Sequence, residues 1–277
     1  MTPTKLMIPP RPGVLMEIQN LMAAQEPDVQ KIATVIKQDV SLYAILLSAV
    51  NSPWMGLSQT IDSAEKAIAL MGLDRVFNLL RAVIIRACFK DSPLNETFWS
   101  TASEVASISD DLARRYKVCT PDKAYTLGML HNAGIPVMIS NFDDYAAFIN
   151  QYSHRAADEL CVLERQRFTT DHYLQGAMMA KAWYIPNEIA LAIRYQPIAT
   201  SVLSGQKALP TEVTQLLALV SLAKNISNEY RLYWNAEANT HNETILTAAL
   251  DYLNIGKAEF IELKEDHVEE MMNKEVA

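Results

Sequence analysis

Glycine is scarce in this sequence, with only eight glycines among 277 residues. That is about 3%, against about 7% in typical proteins. Tight β-hairpins need residues at positive φ, and nucleotide-binding loops need glycine where the backbone approaches a phosphate. The shortage therefore favours a helical protein and argues against Rossmann, P-loop and all-β folds.

Basic charge is also short. The chain has 24 lysines and arginines against 32 aspartates and glutamates, a net charge of -8. Proteins that bind nucleic acid normally carry a basic excess or a basic face. We therefore expect no nucleic-acid partner. The acidic residues after Gly256 read as the solvated face of a helix.

Long apolar runs are missing too. The longest, Leu42–Val50 and Leu216–Ala223, are well short of the ~20 residues that cross a bilayer. The segment Met1–Pro12 is proline-rich and lacks the apolar centre of a signal peptide. The odd number and wide spacing of the cysteines indicate reduced thiols: Cys88, Cys119 and Cys161. We expect a cytoplasmic protein without a membrane partner.

Apolar residues recur at helical spacing along the chain, and prolines and glycines separate these segments. No segment has the alternation of a strand. The predicted helices are 14–24, a segment from Pro27-Asp28, one from Asp39, one before Gly72, one from Asp74, 98–116, 121–131, 144–152, 156–168, 171–183, 187–195, 211–228, 241–253 and 257–272. We predict an all-α protein with an N-terminal helical part, residues 1–93, packed on a second part, residues 94–277.

A turn at Asn51–Gly56 breaks the helical pattern early in the chain. Its polar side chains can bond backbone groups where a helix ends, and its tryptophan can bury its ring. An Asp62–Glu65 capping box is expected to begin the next helix. The residues that we assign a structural role are Asn51, Ser52, Trp54, Gly56, Gly72 and Trp183.

Two of the five histidines, His131 and His172, lie among apolar residues at helical spacing, whereas the polar contexts of His154, His241 and His267 indicate surface positions. Two isolated histidines are weak evidence for a metal, which needs three or four ligands. The sequence contains no HExxH, CxxC, GxSxG or glycine-rich phosphate motif. Residue patterns alone therefore assign no catalytic residue and no cofactor.

An ordered series of landmarks nevertheless runs from about residue 6 to 230. In chain order they are Ile8-Pro9-Pro10-Arg11-Pro12, Asp39-Val40-Ser41-Leu42, Asn51-Ser52 with Gly56, Ala67-Ile68-Ala69-Leu70-Met71-Gly72, Met129-Leu130-His131-Asn132-Ala133-Gly134, then Glu164, His172, Gly176, Trp183 and Pro186. This series resembles the HDOD domain, a degenerate relative of the HD phosphohydrolases found in bacterial signalling proteins. The resemblance implies an HD-like subdomain in residues 94–277.

The resemblance also outlines a relict HD site, in which most metal ligands are replaced. The catalytic family has a His-Asp doublet where this chain has His131-Asn132, and histidines where Thr101 and Gln196 stand. Lys224 takes the expected place of a final aspartate. A neutral amide lacks the charge that a hard cation favours, and lysine repels a cation. With His172, these residues would form a polar pocket without metal; any residual ion would depend on His131 and His172.

We therefore expect a non-catalytic signalling or regulatory module that acts through protein contacts. The pocket would either satisfy its own buried polar groups or bind a small ligand as a sensor. The alternative is a metal-dependent phosphohydrolase acting on a nucleotide or phosphoester. The resembling family often joins this domain to receiver or cyclic-dinucleotide modules. None is recognisable here, so the partner is expected to be a separate signalling protein.

The replaced ligands predict that the purified protein carries no stoichiometric metal, because two neutral imidazoles are too few for a tight site. Elemental analysis after purification without chelators should find far less than one ion per chain. One or two equivalents of iron, manganese or zinc would contradict this prediction.

Overall fold

The structure is a computed structural model that describes Leu6 and residues 13–38, 43–44, 46–47, 50–51, 60–87, 89, 93–183, 185–234 and 243–276. All regular secondary structure in these ranges is helical, which confirms the predicted all-α class. The chain divides into two compact units, Pro9–Lys90 and Asp91–Ala277 with Met1–Ile8.

The smaller unit contains four described helices: α1 Gly13–Met22, α2 Val29–Gln38, α3 Ala64–Met71 and α4 Leu73–Ala87. The apolar stripe of α2 is buried as its periodicity predicts, with Ile32 and Ile36 almost inaccessible to solvent. This stripe faces its neighbours, since α2 packs against both α1 and α3.

The capping box predicted at the start of α3 is not the one that the structure shows. Ser63, rather than Asp62, caps the helix, and its hydroxyl accepts from the Lys66 amide at 3.2 Å. Asp62 instead forms an ion pair with the Lys66 ammonium at 2.7 Å. Gly72 ends the helix at φ 83°, a conformation that glycine adopts without strain.

Asn51 is bonded to Ile61, which lies shortly before α3. Its Oδ1 accepts from the Ile61 amide at 2.7 Å, and its Nδ2 donates to the Ile61 carbonyl at 2.7 Å. Because both ends of the amide are bonded to the backbone of one residue, Asn51 fixes the position of Ile61. The predicted turn residues Ser52, Trp54 and Gly56 lie outside the described residues.

The larger unit is built from eleven described α-helices and one 3₁₀ turn. They are α5 Pro93–Tyr116, α6 Pro121–Leu130, α7 Gly134–Asn141, α8 Tyr145–Tyr152, α9 Ala157–Phe168, α10 His172–Ala182, α11 Asn187–Tyr195, the 3₁₀ turn Gln196–Ile198, α12 Ala199–Leu203, α13 Thr211–Trp234, α14 Glu243–Leu253 and α15 Lys257–Val276.

Helix α13 forms the centre of this unit. It packs against α5, α6, α11, α14 and α15, and every residue of its apolar run Leu216–Ala223 is buried. A helix surrounded by other helices is apolar on all sides, which accounts for the run. In the part of the chain that the structure describes, no helix is long and apolar enough to cross a membrane.

Helix α7 was missed by sequence analysis, which placed nothing helical between His131 and residue 144. Pro136 lies in its first turn, where the missing N–H costs no intrahelical bond. The helix begins at Gly134, which lies directly against α10. An ideal Cβ on Gly134 would lie 1.7 Å from the His172 carbonyl oxygen and 2.7 Å from the Gly176 nitrogen.

The acidic C-terminal helix α15 is only partly solvated. Its inner face buries four apolar side chains, Phe260, Leu263, Val268 and Met271. The prediction that His267 lies on the surface is wrong, because its side chain is only 12% exposed and its Nε2 lies 3.2 Å from Asp111 Oδ2 on α5. The alternation of apolar and acidic residues is therefore that of an amphipathic helix docked on the core.

The contact at Gly134 predicts that Gly134→Ala is severely destabilising, because the added methyl would meet rigid backbone rather than a movable side chain. We expect a loss of at least about 3 kcal/mol in the free energy of unfolding, measured with urea. Gly256→Ala is the matched control, since nothing lies within 4 Å of its Cβ position. Equal stability of the two variants would contradict the close packing of α7 on α10.

Candidate functional site

His131 lies at the end of α6, with only 2% of its surface exposed. Its Nδ1 is 2.6 Å from the Gly128 carbonyl oxygen. A carbonyl can only accept, so Nδ1 carries the proton and the lone pair of the neutral ring is on Nε2. Burial, together with the charge of Lys224, lowers the pKa of His131 from 6.5 to about 3. The imidazole is therefore uncharged at neutral pH.

His172 begins α10 and is held by a buried carboxylate. Its Nδ1 lies 2.8 Å from Glu164 Oε1 on α9, and its backbone N–H donates to Glu164 Oε2 at 3.2 Å. The hydroxyl of Tyr145 on α8 donates to the same carboxylate. Burial and the neighbouring Glu164 raise the pKa of Tyr145 well above its ordinary value. The three side chains, all nearly inaccessible to solvent, join three helices.

Asp171 fixes the start of α10. Its Oδ1 accepts from the Leu174 amide at 2.8 Å, which caps the helix, and its Oδ2 lies 2.8 Å from the Arg165 guanidinium. Arg194 on α11 approaches the same carboxylate at 3.7 Å. Two arginines therefore compensate the fully buried charge of Asp171 and set the orientation of the His172 backbone.

Gln196 connects His131 and Lys224, two further residues of the predicted site. Its Nε2 donates to the His131 carbonyl at 2.6 Å, and its Oε1 accepts from Lys224 Nζ at 3.2 Å. One amide from the 3₁₀ turn thus joins the end of α6 to the middle of α13. Burial alone lowers the pKa of Lys224 from 10.5 to about 8.

Four of the six predicted pocket residues are related by these contacts. His131 interacts electrostatically with both His172 and Lys224, and Gln196 bridges His131 to Lys224. Asn132 follows His131, and its Oδ1 is buried with no hydrogen-bond partner among the described residues. Thr101 differs, because its described hydrogen bond is to Thr97 O within α5.

Sequence analysis did not assign a role to Tyr145, Asp171 or Arg165, and used Glu164 only as a landmark of the resemblance. Spacing carries part of the signal: Glu164 and Asp171 lie within eight residues of His172 and are fully buried. A carboxylate close in sequence to a candidate histidine is a reasonable partner for its Nδ1. Tyr145 gives no such signal, because only the folding of α8 onto α9 brings it there.

The donor set does not fit a divalent metal. Within the described ranges, no group of three His, Cys, Asp or Glu side chains is arranged to hold an ion. Glu164, the carboxylate nearest to the histidines, is bonded to His172 and Tyr145. The charge that interacts with His131 is the cation Lys224. A metal at this place would face an ammonium group and a neutral amide where anionic ligands are needed.

The low pKa of His131 predicts a loss of stability in acid. The unfolded state takes up a proton near pH 6.5 but the folded state only near pH 3, so the free energy of unfolding falls as pH drops between these values. From pH 7 to 5 this contribution is about 2 kcal/mol. Urea unfolding of His131→Leu should therefore show a correspondingly shallower pH dependence than that of the wild type. The exposed His154→Leu is the control, and equal pH dependence of all three proteins would contradict a neutral, buried His131.

Comparison with known proteins identifies the family to which this chain is similar. The HDOD domain family matches residues 8–198, more than two thirds of the chain. An uncharacterized protein of Treponema pallidum (strain Nichols) is 29% identical over 196 residues, which cover 68% of this chain and 37% of that protein. The uncharacterized protein YuxH of Bacillus subtilis (strain 168) is 32% identical over 93 residues, 34% of this chain and 21% of YuxH. The chain therefore spans well under half of either relative.

Solved structures show the same fold at low sequence identity. An HDOD domain protein of unknown function from Geobacter sulfurreducens is 20% identical, with a TM-score of 0.69 and coverage of 97% of this chain and 92% of that one. A candidate signal transduction protein from Marinobacter aquaeolei VT8 is 21% identical, with a TM-score of 0.69 and coverage of 98% and 60%. A candidate phosphohydrolase from Shewanella amazonensis SB2B is 20% identical, with a TM-score of 0.65 and coverage of 96% and 94%. The ordered sequence landmarks, the helical fold and the family match agree, and the chain belongs to the HDOD domain family.

Proposed function

We propose that this HDOD domain is a non-catalytic regulatory module that acts through contacts with another protein. The observation that carries the proposal is the position of Lys224, which reaches His131 through Gln196 at the place where a catalytic relative would need an acidic ligand. A hydrolytic metal centre needs anionic ligands and an open coordination position. Here the charged side chain that interacts with His131 is a cation instead.

One observation favours the alternative, a metal-dependent phosphohydrolase. Both His131 and His172 bond through Nδ1, to the Gly128 carbonyl and the Glu164 carboxylate. In metal sites, such bonds orient the ring so that Nε2 faces the ion. The supporting bonds of two ligands are therefore present, but the remaining ligands and the charge are not. We favour the regulatory function on the ground of charge, because ligand orientation cannot offset a cation beside the ion.

The regulatory part of the proposal is supported by the way that this domain occurs in its relatives. The chain covers 37% of the Treponema protein and 60% of the Marinobacter structure, so both have substantial further sequence. A domain that recurs as one part of longer proteins is suited to transmit a signal between modules. Its partner would be a separate signalling component or another part of a longer chain.

A turnover assay tests the non-catalytic reading. The protein is incubated with nucleotides, phosphomonoesters and phosphodiesters, each with added Mn²⁺, Fe²⁺ or Mg²⁺, and released phosphate or product is measured. We expect rates equal to those of His131→Leu, because no ligand set among the described residues holds a metal.

The control His154→Leu alters an exposed histidine and should behave like the wild type. Metal-dependent turnover in the wild type and in His154→Leu that is lost in His131→Leu would replace the regulatory proposal with the phosphohydrolase.

A further inference from the structure

Lys224 is a partly buried cation with no acidic partner in the part of the chain that the structure describes. Its ammonium group donates to Gln196 Oε1 at 3.2 Å, and no carboxylate among the described residues forms an ion pair with it. Burial alone lowers its pKa to about 8, so no negative charge among the described residues offsets that burial. A cation in this position is held at a free-energy cost that a bound anion would relieve.

Two other lysines of the chain form ion pairs with carboxylates. Lys123 lies 2.6 Å from Glu188 and 2.5 Å from Glu212, and Lys37 lies 2.5 Å from Glu65. Acidic side chains exceed basic ones in the whole sequence by eight. Among the described residues, no carboxylate forms an ion pair with the partly buried Lys224, so its charge can pair with a bound anion.

The groups around Lys224 can complement an oxyanion that carries a proton. His131, which interacts electrostatically with Lys224, is neutral, and its bonded Nδ1 leaves Nε2 as an acceptor. Next to it in the chain, Asn132 has a buried Oδ1 with no partner among the described residues. His172 is the remaining titratable group facing His131, and its Nδ1 is bonded to Glu164. The pocket therefore offers one cationic donor beside groups that accept hydrogen bonds.

We propose that Lys224 and His131 bind the phosphate group of a small molecule, with a phosphate oxygen accepting from Lys224 Nζ and a phosphate hydroxyl donating to His131 Nε2. This deepens the proposed function, on which it rests: the module would sense a phosphorylated ligand without hydrolysing it. A monoprotonated phosphate supplies both an anionic oxygen and an O–H, whereas a carboxylate supplies only the anionic oxygens. Phosphate therefore fits these groups better than a carboxylate or sulfate does.

The probe is inorganic phosphate, titrated at pH 7 into the full chain in a buffer without other oxyanions, with heat or the melting temperature as the readout. Sulfate and acetate are titrated in parallel. We expect phosphate to bind and raise the melting temperature, and to bind at least about tenfold more tightly than sulfate or acetate, which at this pH have no hydroxyl to donate.

Lys224→Met removes the charge while keeping a long apolar side chain, so the protein should fold and its melting temperature without phosphate should not fall. Phosphate affinity should drop at least about tenfold in this variant. Lys224→Arg, which keeps the charge, should retain part of it. Lys207→Met removes an exposed lysine elsewhere and should bind phosphate as the wild type does.

The inference is overturned if phosphate does not bind the wild type, if Lys224→Met binds it as well as Lys207→Met does, or if sulfate binds equally well. These outcomes are independent of the turnover assay. A protein that binds no phosphate and hydrolyses nothing keeps the regulatory proposal and loses only the ligand. A protein that binds phosphate and hydrolyses phosphoesters with metal loses the regulatory proposal.

Discussion

The backbone-to-backbone contact between α7 and α10 sets the geometry of the candidate site. Gly134 lies so close to the His172 carbonyl that no side chain fits between the two helices. Because α7 starts three residues after His131 and α10 starts at His172, this approach brings the two histidines within electrostatic reach of each other. A second close approach, of Gly128 on Ala106, packs α6 against α5 behind His131. Two of the eight glycines thus determine where the functional side chains lie.

The two histidines are bonded through Nδ1, as metal ligands commonly are, and a cation lies in the same hydrogen-bond network. His172 is oriented by Glu164 and Tyr145, and His131 by the Gly128 carbonyl, as ligands of an ion would be. Lys224, which donates a hydrogen bond to Gln196, adds a positive charge that interacts with His131. Buried polar networks are costly to rearrange, because each unpaired group loses its hydration. We infer that this framework persists as an anion-accepting pocket in place of a cation site.

The sequence predicted the features that depend on local pattern. Low glycine content and helical periodicity predicted the all-α class and the helix that follows Pro27-Asp28, which is α2. Some features were not predicted. Helix α7 was missed, because it is short, begins at a glycine and contains Pro136, which are signals of a helix end rather than of a helix. His267 was expected at the surface, but its pairing with Asp111 depends on how α15 docks on α5. The Tyr145–Glu164 bond likewise requires the fold, since nothing in the spacing relates α8 to the site.

The central claim is that His131 is a neutral imidazole beside a cation and does not serve as a metal ligand. Long-range ¹H–¹⁵N NMR of the histidine rings tests this directly, because the ring nitrogen shifts report tautomer, protonation and metal binding. The account predicts that His131 carries its proton on Nδ1, that its shifts stay constant from pH 7 to 5, and that added Zn²⁺ leaves them unchanged. Titration of His131 near pH 6.5, or a shift of its Nε2 on adding Zn²⁺, would contradict the account.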